Sequence, residues 1–119
     1  MKRVRRYTWR QFDRDVRVIT QRLRRTQKRF DGVWGPPRGG LALAVVLSHA
    51  LGIPFCTRPR SRRTLIVDDI VDTGKTLRAF AGTHTLVTIF YHRKSIVEPD
   101  VWVSEKKKLW ILFPWEKSR

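Results

Sequence analysis

Asparagine is missing from this chain altogether, and cysteine and methionine occur once each. A single cysteine, Cys56, excludes an internal disulfide. It reads as a small, half-buried packing residue. Long hydrophobic runs are also missing. The longest, Leu41–Leu47, falls far short of the roughly 20 residues that cross a bilayer. No apolar segment follows the basic N-terminus, so the expectation is a cytoplasmic protein with neither a secretory signal nor a membrane partner. Histidine is sparse, and His49 and His84 lack metal-ligand spacing. No zinc site, haem site or nucleophile–histidine–acid arrangement is visible. Acidic residues are scarce: 10 Asp+Glu stand against 26 Lys+Arg, for a net charge of +16. Twelve of those cations lie in the first thirty positions, where they meet only Asp13 and Asp15, a balance of +10. Such a surface attracts polyanions and concentrates phosphate-bearing ligands.

What is present suits one domain over residues 1–119 with one modest core. Thr8 opens a helix, with Gln11 placed for a capping box. Trp9, Phe12, Val16, Ile19 and Leu23 follow at helical spacing and form its core face. "GVWG" (32–35) reads as a short buried strand, ended by Pro36 and Pro37. "LALAVVLSHAL" (41–51) reads as a buried helix capped by Gly52. Further strands are expected at Ile53–Cys56, Thr64–Val67, 85–91, Val101–Val103 and Leu109–Phe113, with a short helix over 75–81. Strands alternating with helices predict an α/β fold with a largely parallel sheet covered on both faces.

In such sheets, ligands bind beyond the carboxyl ends of the strands. Two loops lie there. "GPPRGG" (35–40) offers close-approaching backbone amides, a helix N-terminus and the Arg38 guanidinium, all suited to phosphate oxygens. "TLIVDDIVDTGKT" (64–76) runs a buried strand into Asp68 and Asp69. Alternation would splay these two to opposite faces at the strand end. Paired carboxylates repel and call for hydroxyls, a cation or basic neighbours. Thr73, Thr76 and the amides around Gly74 form an anion nest. Carboxylates for hydroxyls beside a nest for phosphate describe a ribose 5-phosphate site.

"LIVDDIVDTGKT" resembles the 5-phosphoribosyl-1-pyrophosphate motif of type I phosphoribosyltransferases, and "PPRGG" resembles that family's pyrophosphate loop. The similarity spans nearly the whole chain and is closest to the xanthine-guanine (6-oxopurine) branch. "YTWRQFDRDVRVITQRL" resembles that branch's opening helix, and "VTIFY…PDVWV…LWILFPWE" its base-covering segment. The resemblance implies a parallel sheet flanked by helices, with a small hood over about 92–119. It implies magnesium-dependent transfer of the 5-phosphoribosyl group to guanine, xanthine or hypoxanthine. The substrates would be 5-phosphoribosyl-1-pyrophosphate and a purine base, and the assembly a homo-oligomer, dimer or tetramer.

Carried over by motif, Asp68 and Asp69 would hold the ribose hydroxyls and help position Mg2+, mainly through substrate and water. Asp72 would accept a proton beside the purine's imidazole ring. Asp72, Thr73, Gly74, Lys75 and Thr76 would bind the 5-phosphate. Pro37, Arg38, Gly39 and Gly40 would bind pyrophosphate, with a cis peptide expected at Pro37–Arg38. Trp110 would stack on the base, and the Ile111 backbone would read its 2-substituent. His92 stands where the branch usually carries a lysine that contacts the 6-oxo group, and Lys94 would share its face if the strand continued. Lys106–Lys108 reads as a solvated turn. The long flexible lid of the family is reduced to "TRPRSRR" (57–63). A second function class is a nucleic-acid-binding regulator that keeps the fold to sense nucleotides. The intact aspartate loop favours the enzyme, and the basic N-terminus implies weak, non-specific nucleic-acid binding.

Overall fold

The computed structural model describes residues 3–117. Strand β1 (Val4–Arg6) leads into helix α1 (Trp9–Arg25), β2 (Gly32–Trp34), helix α2 (Leu41–Leu51) and β3 (Thr64–Val71). Strands β4 (Leu86–Tyr91), β5 (Val101–Glu105) and β6 (Trp110–Leu112) follow. The main sheet is wholly parallel in the order β2-β3-β4-β5, and β1 pairs with β6 in a separate parallel ladder. The α/β class expected from the sequence is the class observed.

Thr8 caps α1 as its sequence dictates. The Thr8 hydroxyl accepts from the Gln11 amide, and the Gln11 side chain accepts the Thr8 N–H at 2.8 Å. Phe12, Val16, Ile19 and Leu23 are buried, and the helix packs on α2 and β5. Trp9 departs from the expected core face. It sits at the overhanging first turn, 52% exposed, edge-on to Phe12 and beside Trp115. The same helix buries Asp15, whose carboxylate accepts from the Tyr7 hydroxyl at 2.6 Å and Arg14 Nε at 3.2 Å. Burial and this carboxylate push the Tyr7 hydroxyl's pKa far above its usual range.

Both long helices cover one face of the sheet. Leu43 and Leu47 of α2 join Val33, Leu65, Val67, Val87 and Ile89 in that core. On the opposite face Ile66, Leu86 and Tyr91 pack against Leu77 and Val97, with Trp34, Phe80 and Trp102 alongside. There the expected helix at 75–81 shrinks to one 3-10 turn, Arg78–Phe80. Gly74 and Gly82, both at positive φ, bracket it and leave too few residues to nucleate an α-helix. The expected strand at Ile53–Cys56 reduces to a single bridge, Val33 to Phe55, because Pro54 has no amide to donate. Strand β1 was not expected from its basic, weakly alternating sequence. It registers Val4, Arg5 and Arg6 against Trp110, Ile111 and Leu112.

Candidate active site

β3 does not stop at the aspartates. It continues to Val71, paired with β4 at Ile70–Phe90 and Val71–Tyr91. Strict alternation from Leu65 and Val67 would send Ile70 to the far face, yet it packs in the helix-side core, as does Phe90. The pleat therefore slips by one residue at the acidic pair. The two carboxyl groups, expected to splay to opposite faces, stay near enough for each to act on the other's ionisation. Asp68 Oδ1 accepts the Asp69 amide at 2.8 Å, and Asp69 Oδ1 accepts the Ile70 amide at 2.7 Å. Burial, then the neighbouring carboxylate, pushes Asp68 up to about 8. Burial raises Asp69 as well.

The 35–40 loop lies directly against this pair. The Pro37–Arg38 peptide is cis, as expected. A Cβ on Gly39 would fall 2.8 Å from Asp69 Oδ2, and one on Gly40 2.7 Å from the Val67 carbonyl oxygen. Only glycine lets the loop approach the strand this closely. Arg38, Gly39 and Asp69 share a cleft of about 1130 Å³ with Trp115 and Glu116. Trp115 and Glu116 end the "LWILFPWE" segment and were given no role of their own; Trp115 holds its place by stacking on Phe113.

Asp72 opens the loop after β3. Thr73 Oγ1 accepts the Lys75 amide at 3.3 Å, and the Thr73 carbonyl accepts the Ile96 amide at 3.0 Å. Gly74 has φ +89, and a Cβ there would strike Ser95 Oγ at 2.6 Å. Lys75 and Thr76 are exposed. Asp72 Oδ2 meets Lys106 Nζ at 3.1 Å, and that ammonium stands 5.7 Å from the Trp110 ring centroid. Lys106 is therefore not part of a solvated turn: its side chain is only 15% exposed. Its position at the carboxyl end of a parallel strand was the signal that could have found it. Trp110 is exposed and Ile111 buried, both set by pairing with β1. His92 donates its amide to the Val71 carbonyl at 3.0 Å, and its Nδ1 accepts the Lys94 amide at 3.1 Å. That leaves the proton on Nε2 as a donor. β4 ends at Tyr91, so Lys94 lies in a turn and not on a strand face. Arg93 is turned to Glu105 at 2.6 Å.

The short 57–63 segment leaves no slack for a lid. The Thr57 carbonyl accepts Trp34 Nε1 at 3.2 Å. The Thr64 hydroxyl accepts the Arg60 and Ser61 amides and donates to Asp31 Oδ1 at 2.8 Å. Ser61 Oγ donates to Asp31 Oδ2 at 2.6 Å. These two hydroxyls hold the Asp31 carboxyl below its ordinary range. The segment is thus tied to the amino end of β3, about 13 Å of strand from Asp68.

No family model matches the chain. A solved structure, the purine phosphoribosyltransferase of Pyrococcus horikoshii, superposes with a TM-score of 0.80 at 31% identity, covering 100% of this chain and 97% of that one. The chain belongs to the purine phosphoribosyltransferases. It is also similar, at 27% identity over 92% of this chain and 82% of the relative, to the xanthine-guanine phosphoribosyltransferase of Chromohalobacter salexigens. The xanthine-guanine-hypoxanthine phosphoribosyltransferase of Helicobacter pylori shares the fold, with a TM-score of 0.80 at 17% identity over 97% of this chain and 93% of that one. In this phosphoribosyltransferase the glycine loop packs against the aspartate strand, and the 57–63 segment is pinned. Among its described residues, no helix is long and apolar enough to cross a membrane.

Proposed function

We propose that the chain transfers the 5-phosphoribosyl group from 5-phosphoribosyl-1-pyrophosphate to a 6-oxopurine, as a cytoplasmic homo-oligomer. The observation that supports this reading is the packing of Gly39 on the Asp69 carboxylate, which brings the 35–40 loop against the acidic pair. Asp68 and Asp69 accept the ribose hydroxyls. Pro37, Arg38, Gly39 and Gly40 hold the pyrophosphate. Thr73, Gly74, Lys75 and Thr76 hold the 5-phosphate, with Asp72 at the loop's start. Trp110 stacks on the base, the Ile111 backbone reads its 2-substituent, and His92 Nε2 is a second donor to its rim.

In the reaction, the bond from the anomeric carbon to the pyrophosphate oxygen breaks and a bond to the purine's ring nitrogen forms. Arg38 stabilises the charge that builds on the leaving oxygen. Asp72 takes the proton that the purine's imidazole ring gives up. Among the described residues, no group of three or more His, Cys, Asp or Glu side chains is placed to enclose a metal. Two hard carboxylates without a third protein ligand fit Mg2+ that takes most of its shell from substrate oxygens and water. Bound at Asp68 and Asp69, such an ion supplies positive charge to the ribose and pyrophosphate oxygens.

The deciding experiment incubates the protein with Mg2+, the ribosyl donor and each nucleobase, and assays for nucleotide. Hypoxanthine, guanine or xanthine should be consumed faster than adenine. Absence of nucleotide with every base would overturn the reading. Asp72→Asn should keep the fold and lose about 10²–10⁴-fold in turnover. Undiminished turnover would remove Asp72 from the proton transfer.

A further inference from the structure

The end of the sheet away from the aspartates carries charge that the protein itself leaves whole. Residues 28–31, 61–63, 82–85 and 100 lead into the four strands of the main sheet, so they gather at its amino end. There Lys28, Arg29, Phe30, Arg62 and Arg63 line a hollow of about 420 Å³. A second hollow, of about 330 Å³, shares Lys28, Arg29 and Phe30 and adds Arg24, Leu51 and Ile53. A third, of about 290 Å³, meets the first at Asp100 and adds Arg22 and Trp102. Three of the cations along this track are held by neutral oxygens. Arg22 Nη1 donates to the Trp102 carbonyl at 2.6 Å, and Arg24 Nη2 to the Ala50 carbonyl at 3.1 Å. Lys28 Nζ donates to the Thr85 hydroxyl at 3.3 Å. Such bonds fix a cation in place without neutralising it. The nearby acids are engaged otherwise. Asp100 Oδ2 accepts the Leu86 amide at 2.7 Å, and Asp31 accepts the Ser61 and Thr64 hydroxyls. Among the described residues, the ion pairs of Asp15, Asp72 and Glu105 involve none of these cations.

We propose that this track binds single-stranded nucleic acid, with phosphates on the cations and bases laid against Phe30 and Trp102. The charge alone would attract any polyanion. The walls between the cations narrow the choice. Phe30, Leu51, Ile53 and Trp102 are half-buried, so each offers part of an apolar surface to the hollows. A duplex keeps its bases stacked inside and presents phosphates, which leaves such walls unused. A single strand exposes its bases, and any base can stack on an aromatic face. Stacking of this kind is indifferent to sequence. The fixed cations add pre-organisation: a guanidinium already held by a carbonyl loses less freedom when it takes a phosphate. In a parallel sheet the amino ends lie opposite the carboxyl ends, where Asp68, Asp69 and the 72–76 loop stand. The track and the ribosyl site can therefore be filled together, and this inference does not rest on the assignment of that site.

The test follows the fluorescence anisotropy of labelled dodecamers at fixed Mg2+: two unrelated single strands, a duplex of one of them, and an abasic strand of equal charge. The two single strands should bind alike, and about tenfold tighter than the duplex, which is within what one stacked base supplies. The abasic strand should fall behind by about the same factor. Arg22→Gln/Arg24→Gln/Arg62→Gln takes one cation from each hollow. It should weaken single-strand binding about tenfold and flatten the salt slope by about 2. Arg10→Gln/Arg17→Gln/Arg78→Gln removes equal charge elsewhere and should stay within about twofold of wild type. Saturating 5-phosphoribosyl-1-pyrophosphate should not displace the strand. The strand comparisons use the wild-type protein, so they decide the matter even where a variant fails to fold. A duplex or an abasic strand bound as tightly as the intact single strand would overturn the proposal and leave only a diffuse attraction for polyanions. Equal losses in the two triple variants would overturn it too. Displacement by the ribosyl donor would place the strand at the aspartate loops instead, and absence of binding would remove the track altogether.

Discussion

Asp68 is a carboxyl group that folding alone makes reluctant to ionise. Folded, it keeps its proton to about pH 8. Unfolded, it loses the proton near pH 4, at about 3.9. Folding therefore takes up a proton between these values, and the ligand-free chain loses stability as pH rises through that window. Asp68→Asn keeps the acceptor for the Asp69 amide and removes the charge. We expect the variant to melt higher than wild type, by about 4 °C or more at pH 8, the equivalent of roughly 1 kcal/mol. The gap should be smaller at pH 5. The same variant should bind the ribosyl donor less tightly. A melting difference that does not change with pH would show that the Asp68 carboxyl titrates normally. The site thus holds charge that the empty fold does not favour, as functional sites commonly do.

At the level of elements, the sequence displayed its helices and central strands plainly and its strand ends poorly. Thr8, Gln11 and Gly52 mark their helix boundaries by capping chemistry, which is local. The pleat slip at Asp69 is not local. It exists because β3 and β4 stay paired through Val71 and Tyr91, so the strand runs on past its acids. Lys106 was illegible for a similar reason. Read alone, a run of lysines is a wet turn; only the pairing of β4 with β5 brings its first member to Asp72. The aspartate and glycine loops were legible because their spacing is dictated by close backbone approach. Strand β1 and the burial of Asp15 were not, since each depends on a partner far along the chain or on an unusual setting for a charge. Tyr7 joins these two features. It lies between β1 and α1, donates to Asp15 and packs edge-on against Phe90 and Phe113. Tyr7→Phe would leave a buried carboxylate short of a donor, and should destabilise the fold by about 1–3 kcal/mol in chemical denaturation. In wild type the hydroxyl's raised pKa means that the folded state holds its proton above pH 10 while the unfolded state does not. Stability should therefore fall as pH climbs beyond about 10. Tyr7→Phe should show less of that alkaline loss; an identical loss in both would assign it to other groups.

Over the whole molecule, the +16 charge is not spent on the reaction site alone. At the amino ends of the strands, opposite the aspartates, Lys28, Arg29, Arg62 and Arg63 border a groove of about 420 Å³, with Asp100 the only acid among the described residues that line it. Positive charge gathered there should bind nucleic acid weakly and without regard to sequence, at about 10⁻⁴–10⁻⁶ M in physiological salt. Replacing Arg29, Arg62 and Arg63 by glutamine should weaken that binding and flatten its salt dependence, with nucleotide synthesis unaffected. Gel-shift titrations across a salt series would measure it. Tight binding that resists salt and selects a sequence would favour the regulator reading.

The ladder between β1 and β6 also bears on how the molecule is made. Arg5 finds Ile111 only after all four strands of the main sheet have been synthesised. The central strands and the loops at 35–40 and 72–76 can assemble before that. The ladder that carries Trp110 cannot close before β6 has been made. A chain interrupted before β6 would keep the glycine and aspartate loops and lack the strand that carries Trp110.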